Sequence, residues 1–190
     1  MNDKLKEEIR KTHEVLKKGG IILYPTDTIW GIGCDATDEE AVRRIYEIKQ
    51  RSDSKSMLVL LDDAGKIASY ADVPDIALDI IEVTDRPTTI IYPGAKHIAP
   101  SLIAEDGTIG IRITREEFTS SLLYRFNRPL VSTSANISGQ TSPAFFDDID
   151  EDIKNAVDYI VDYRRNDRHP SAPSSIIKLG LNGEVKIIRK

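Results

Sequence analysis

The chain has 190 residues with 40% hydrophobic and 30% charged content, a length that fits one domain burying about 70% of its unfolded surface. A disordered chain is excluded, and so is a small scaffold stapled by disulfides or metal, because Cys34 is the one cysteine. The formal charge of -5 and a pI near 5.3 disfavour a protein held on nucleic acid by bulk positive charge.

Leu5, Ile9, Thr12 and Leu16 share a helical face, and Gly19-Gly20 ends that helix. Ile21 to Tyr24 reads as a buried strand stopped by Pro25, and PTDTIWGIGCD reads as a shaped loop rather than a regular element. Thr37 with Glu40 forms a capping box for a helix running to about Lys49. Met57 to Leu61 is a second buried strand, and Asp62-Asp63 caps a further helical segment. Another helix opens at Asp72 and Pro74, and strands follow at Thr88 to Tyr92 and Thr108 to Ile113.

Thr114 is placed to cap the helix REEFTSSLLYRF, and Leu130 to Thr133 is a strand feeding the polar loop STSANISGQTSP. An acidic helical stretch near Asp147 to Ala156 precedes a short strand at Tyr159 to Val161. Strands at Ser175 to Leu179 and Val185 to Arg189 meet across Asn182-Gly183, a hairpin turn. Helices and strands alternate early and antiparallel features come late, so the expectation is one α/β domain, residues 1–190, on a mixed sheet. No apolar run approaches the roughly 18 residues of a membrane span, and the charged N-terminus is no signal peptide. The expected location is cytoplasmic, with no membrane contact.

Two segments suggest phosphate or nucleotide chemistry. Residues 43 to 55 carry Arg43, Arg44, Lys49, Arg51 and Lys55 against Glu47 and Asp53, a local charge of +3. Cations where a helix ends can converge on a polyphosphate, or can simply complement the helix dipole. Ser132 to Gly139 offers small hydroxyls, an amide and a glycine beside a strand, suited to a phosphate or base edge, or to a self-bonded turn. The inward Arg112 of TIGIRI is either an ion-pair partner or a clamp for a ligand carboxylate. GxxxxGK[ST], GxGxxG and GxSxG are all missing, and Cys34 has no histidine beside it.

YPTDTIWGIGCDA, Lys49-Gln50-Arg51, TIGIRI, and Ser134-Ala135-Asn136 within TSANISG occur in the order found in one family. In these landmarks the chain resembles the YrdC-like threonylcarbamoyl-AMP synthases from about Gly20 to Arg189. The resemblance implies a twisted mixed sheet with flanking helices and a large, positively lined cavity. It implies synthesis of threonylcarbamoyl-AMP and pyrophosphate from ATP, L-threonine and bicarbonate, with Mg²⁺ and no redox cofactor. The product would feed t6A modification at tRNA position 37 through a downstream transferase complex, weak direct tRNA contact remaining open.

Carried over residue by residue, Lys49 and Arg51 are the catalytic pair. Lys49, Arg51, Lys55, Thr108, Ser134, Asn136, Ser142 and Arg189 would hold ATP. Thr28, Arg112, Ser132 and Ser174 would hold threonine, and no protein metal site is expected. Ser52 and Lys55 depart from the family pattern after KxR, DRPTTIIYPGA replaces its usual strand entry, and Leu60 stands where many members carry a threonine-contacting histidine. The length suits the short, free-standing type. The competing expectation is a double-stranded RNA or tRNA-binding module using the Arg43 to Lys55 patch.

Overall fold

A computed structural model describes residues 2–50, 57–168 and 172–190. Five α-helices and nine strands are present among the described residues. They run α1 (Asp3–Lys17), β1 (Ile22–Tyr24), β2 (Gly31–Gly33), α2 (Glu39–Ile48), β3 (Leu58–Leu61), α3 (Ile76–Val83) and β4 (Thr88–Tyr92). Then follow β5 (Ile109–Ile113), α4 (Glu117–Phe126), β6 (Leu130–Ser134), α5 (Glu151–Ala156), β7 (Tyr159–Ile160), β8 (Ser175–Leu179) and β9 (Val185–Arg189). The strands form one sheet in the order β7-β1-β2-β6-β3-β5-β4-β8-β9. It is mixed, as expected: β1 with β7, β3 with β5 and β4 with β8 are parallel, and the remaining neighbours are antiparallel.

Alternation along the strands divides the two faces. Val59, Leu61, Ile90, Tyr92, Ile109, Ile111, Val131 and Leu179 point to one side, where Ala41, Val42 and Ile45 of α2 close a large core. On the other face α1 and α4 cover only part of the sheet. Leu5, Ile9 and Leu16 meet Phe118, Leu122, Leu123 and Phe126 over Ile22, Tyr24, Leu60 and Leu130. Burial of each such side chain contributes about 1.5–3 kcal/mol. Beyond that cover the same face bears Thr108, Gly110, Arg112, Thr89, Ser132 and Ser134, and there it is left open as a cavity. A strand written TIGIRI therefore gives three isoleucines to the core and a hydroxyl, a gap and a cation to the cavity.

Several local expectations are corrected. Gly31–Gly33 is a strand inside the supposed loop, with Gly31 opposite Ser134 and Ile32 opposite Thr133. Asp38 caps α2, accepting from the Glu40 and Ala41 amides at 3.0 and 3.1 Å. Thr37 instead donates its hydroxyl to Asp35 at 2.7 Å. Likewise Glu116 caps α4 through the Thr119 amide at 2.7 Å, and Thr114 sits one step earlier, accepting from the Glu116 amide. A carboxylate one residue on in α2 and two residues on in α4 wins because its reach meets the first-turn N–H groups. The acidic stretch is split: a short 3₁₀ turn at Phe146–Asp148 precedes α5. The Asn182-Gly183 turn closes the last hairpin, with Gly183 at φ 84°.

Candidate active site

The open part of the sheet is the floor of a cavity of about 860 Å³. Eight of the residues expected to bind ligand line it: Thr28, Thr108, Arg112, Ser132, Ser134, Ser142, Ser174 and Arg189. They come from segments scattered across the chain and meet because β5, β4, β8 and β6 lie close together in the sheet. Gly110 keeps the floor low: a Cβ there would come within 3.3 Å of Thr89 Cγ2 and 3.4 Å of Leu58 Cβ.

Arg112 is 3% exposed, and its surroundings are uneven. Nη2 lies 2.9 Å from Asp27 Oδ1 and donates to Thr28 Oγ1 at 3.4 Å. Nε is buried with no hydrogen-bond partner among the described residues. A buried N–H left unpaired costs about 1–3 kcal/mol, so this edge of the guanidinium is primed for an acceptor. Burial raises the Asp27 carboxyl above its ordinary value, with the nearby Arg112 charge opposing that shift. Asp27 was not singled out from the sequence. Its position between two threonines in a loop carries no local mark of a carboxylate facing an arginine 85 residues away.

Toward the hairpin, Thr89 and Ser174 share a hydrogen bond of 2.8 Å. Arg189 donates from Nε to the Ser174 carbonyl at 2.9 Å. Burial, followed by the charge of Arg112, lowers the Arg189 guanidinium from its ordinary value. Thr108 donates its hydroxyl to Asp106 Oδ1 at 2.6 Å, and Asp106 is also bonded to Lys178. The Lys178 hydrogen bond, then that of Thr108, holds the Asp106 carboxyl down at about 2.

Lys49 is tied to the backbone of the polar loop after β6. It caps α2 at 2% exposure and is absent from the lining of the cavity. Its Nζ donates to the carbonyls of Ser134 and Asn136 at 2.6 and 2.7 Å, and its own carbonyl accepts from the Ser138 amide at 2.8 Å. Lys49 thus fastens the polar loop after β6 from behind. Asn136 is likewise outside the lining. Its Nδ2 donates to the Ile137 and Gln140 carbonyls at 2.9 and 2.8 Å, while Oδ1 is buried without a partner among the described residues. Arg51 and Lys55 fall outside the described residues. Leu60, at the place of the expected histidine, is packed beneath α1 and α4. Cys34 is fully buried, and burial pushes its thiol well up.

The basic segment is not an open patch where it is described. Arg43 pairs with Glu39 at 2.7 Å, Arg44 with Asp158 at 3.0 Å, and Lys49 is buried. No helix among the described residues is long and apolar enough to cross a membrane.

Comparison with known proteins follows the same lines. A candidate threonylcarbamoyl-AMP synthase of Methanocaldococcus jannaschii is 40% identical over 178 residues, covering 91% of this chain and 83% of that protein. The threonylcarbamoyl-AMP synthase of Pseudoalteromonas translucida is 33% identical over 90% of this chain and 91% of its own. Among solved structures, E. coli YciO superposes with a TM-score of 0.83 at 25% identity, covering 97% of this chain and 89% of its own. P. abyssi Sua5 complexed with L-threonine superposes with a TM-score of 0.80 at 25% identity over 90% of this chain, which spans 50% of that protein's length. The Sua5/YciO/YrdC family model, described as "Telomere recombination", matches residues 14–190. With a match of that extent and the shared fold, the chain belongs to the Sua5/YciO/YrdC family.

Proposed function

We propose that the chain is an L-threonylcarbamoyladenylate synthase, a nucleotidyltransferase that forms threonylcarbamoyl-AMP and pyrophosphate from ATP, L-threonine and bicarbonate. The observation that carries this reading is the buried Arg112, its Nε without a partner among the described residues, in the same cavity as the hydroxyls of Thr108, Ser132 and Ser134 and the Arg189 guanidinium. One arginine suits a carboxylate, and the hydroxyl-rich remainder suits a nucleotide. Relatives that carry the synthase name, and a family structure holding L-threonine, support the same assignment.

The chemistry needs no protein nucleophile. The threonine amine attacks the bicarbonate carbon, water leaves, and a carbamate forms. A carbamate oxygen then attacks the α-phosphorus of ATP, and the bond to the bridging oxygen breaks to release pyrophosphate. What the protein supplies is proximity, orientation and charge. Arg112 and Thr28 hold the threonine carboxylate, with Ser132 and Ser174 lining the same space, while Thr108, Ser134, Ser142 and Arg189 hold the nucleotide. Lys49 acts at one remove, by fixing the loop that presents Ser134. Arg51 and Lys55 complete the phosphate contacts in this reading.

Mg²⁺ bound to nucleotide phosphates commonly takes only one or two protein oxygens, and such an ion would neutralise phosphate charge. The product would pass to a separate transferase for t6A formation on tRNA. The paired Arg43 and Arg44 and the buried Lys49 count against a stand-alone RNA-binding module. The test is pyrophosphate release from ATP by the purified chain. It should require both L-threonine and bicarbonate, and equal release without threonine would refute the assignment.

A further inference from the structure

The loop joining β1 to β2 takes its shape from side-chain donors. The Pro25 carbonyl accepts from Thr119 Oγ1 at 3.0 Å, the Thr26 carbonyl from Arg164 Nη1 at 3.3 Å and the Ile29 carbonyl from Thr26 Oγ1 at 2.7 Å. Thr26 Oγ1 also accepts from the Thr28 amide and shares a hydrogen bond with Thr28 Oγ1, both at 3.0 Å. Thr26 is therefore the hub on which Thr28 is set. Arg164 is the charged donor that reaches this hub from outside the loop, 138 residues further along the chain.

Arg164 adopts a left-handed backbone, φ 57°, a conformation that favours glycine, yet its side chain is engaged on three sides. Nε and Nη2 donate to Asp167 Oδ2 at 3.1 and 2.7 Å. Nη1 stands 3.5 Å from Glu116 Oε1, and the other oxygen of that carboxylate caps α4 through the Thr119 amide. A planar guanidinium between carboxylates on two separate segments is fixed in orientation, and in that orientation it donates to Thr26. Arg164 is absent from the lining of the large cavity. It lines instead a hollow of about 20 Å³, which has room for a single water and for no substrate. Thr28, Ile29 and Trp30 line both spaces, so they form a wall with the large cavity on one side and Arg164 on the other.

Resting on the reading that Thr28 and Arg112 hold the threonine carboxylate, we propose that Arg164 is a positioning residue for the amino-acid side of the active site. Through the Thr26 carbonyl it fixes the Thr28 hydroxyl, which accepts from Arg112 Nη2 at 3.4 Å, and so sets threonine affinity without touching threonine. Thr108, Ser134, Ser142 and Arg189 come from other segments, so the nucleotide side of the cavity does not depend on this tie.

The experiment joins two measurements on the full chain in wild type, Arg164→Gly and Arg164→Asn. One is steady-state kinetics with threonine and ATP varied separately. The other is acrylamide quenching, without ligand, of Trp30, the one tryptophan. Glycine and asparagine both tolerate the left-handed backbone, and neither reaches Thr26; thermal melts check that each variant is folded. Both are expected to raise the threonine KM about tenfold, the loss of roughly one hydrogen bond, with the ATP KM within about twofold. Trp30 should become more accessible to quencher in both. An unchanged threonine KM in either folded variant overturns the proposal, as does an equal rise in both KM values, which a general loosening of the fold would give. A wild type with no threonine-dependent turnover would remove the synthase reading, and the quenching then decides alone. Greater Trp30 exposure in the variants would leave the positioning role standing, and unchanged exposure would overturn it as well.

Discussion

Asp27 Oδ1 stands 2.9 Å from Arg112 Nη2, and the contact separates two cavities. Arg112 lines the large one, whereas Asp27 lines a second, of about 330 Å³, with Arg86, Thr88 and Arg115. Asp27 thus balances the guanidinium from the rear and leaves the Nε edge for a ligand. The arginine read from sequence as either an ion-pair partner or a carboxylate clamp has the geometry of both at once.

Arg112→Ala should raise the threonine KM about 10- to 100-fold, the equivalent of hydrogen bonds to a charged group worth about 1.5–3 kcal/mol. The ATP KM should stay within about twofold. Steady-state kinetics with each substrate varied separately check this, and an equal rise in both KM values would mean that Arg112 is not the carboxylate clamp.

Asp27→Asn leaves the Arg112 charge buried without its counter-ion. Breaking such a pair on one side costs about 3–5 kcal/mol, so the melting temperature should fall by several degrees or more. Threonine affinity should fall with it while adenosine affinity holds. Calorimetric melting and binding on the same sample separate the two effects.

Lys49→Met removes the donor to the Ser134 and Asn136 carbonyls. The Ser134 carbonyl keeps the Asn136 amide at 2.9 Å, so a loss of about 1–3 kcal/mol in unfolding free energy is expected from denaturant titration, the desolvation cost of the Asn136 carbonyl. Activity should drop alongside, through loosening of the loop that carries Ser134. A variant as stable as wild type would contradict the fastening role.

Gly33 lies where two backbones nearly touch. A Cβ there would come within 2.4 Å of the Val131 carbonyl oxygen and 2.7 Å of the Tyr24 ring, a ring held by its own hydroxyl bond to that carbonyl at 3.1 Å. Backbone cannot yield as a flexible side chain can, so Gly33→Ala should destabilise by more than about 2 kcal/mol. Expression in soluble form and melting temperature are the measurements.

The Asp106 carboxyl is depressed from 3.8 to about 2, chiefly by Lys178. A depressed native value stabilises the fold above the unfolded value, and that contribution disappears as pH falls from about 4 toward 2. Stability measured across this window should fall less steeply with acid in Asp106→Asn than in wild type. Identical slopes would show that the bond to Lys178 does not form in solution.

Strand phase made most of the cavity legible in the sequence. Thr108, Gly110 and Arg112 alternate with Ile109, Ile111 and Ile113, and the open face of the sheet follows from that alternation. What stayed hidden depends on distant partners. Gly31–Gly33 is too short to show a period, and it becomes a strand because β1 pairs it on one side and Ser134 and Thr133 on the other. Lys49 looks like a solvated helix end until the loop at 134–136 folds over it. The helix caps were displaced for a simpler reason: each segment held two eligible residues, and the carboxylate had the better reach.

The most direct test of the synthase reading follows the carbon of bicarbonate. The purified chain is incubated with labelled bicarbonate, ATP, Mg²⁺ and L-threonine, and the adenylates are separated. The label should enter a threonine-containing adenylate in step with pyrophosphate, and both should vanish when threonine is withheld. Pyrophosphate released with no labelled adenylate, or label entering an adenylate in the absence of threonine, would contradict the account.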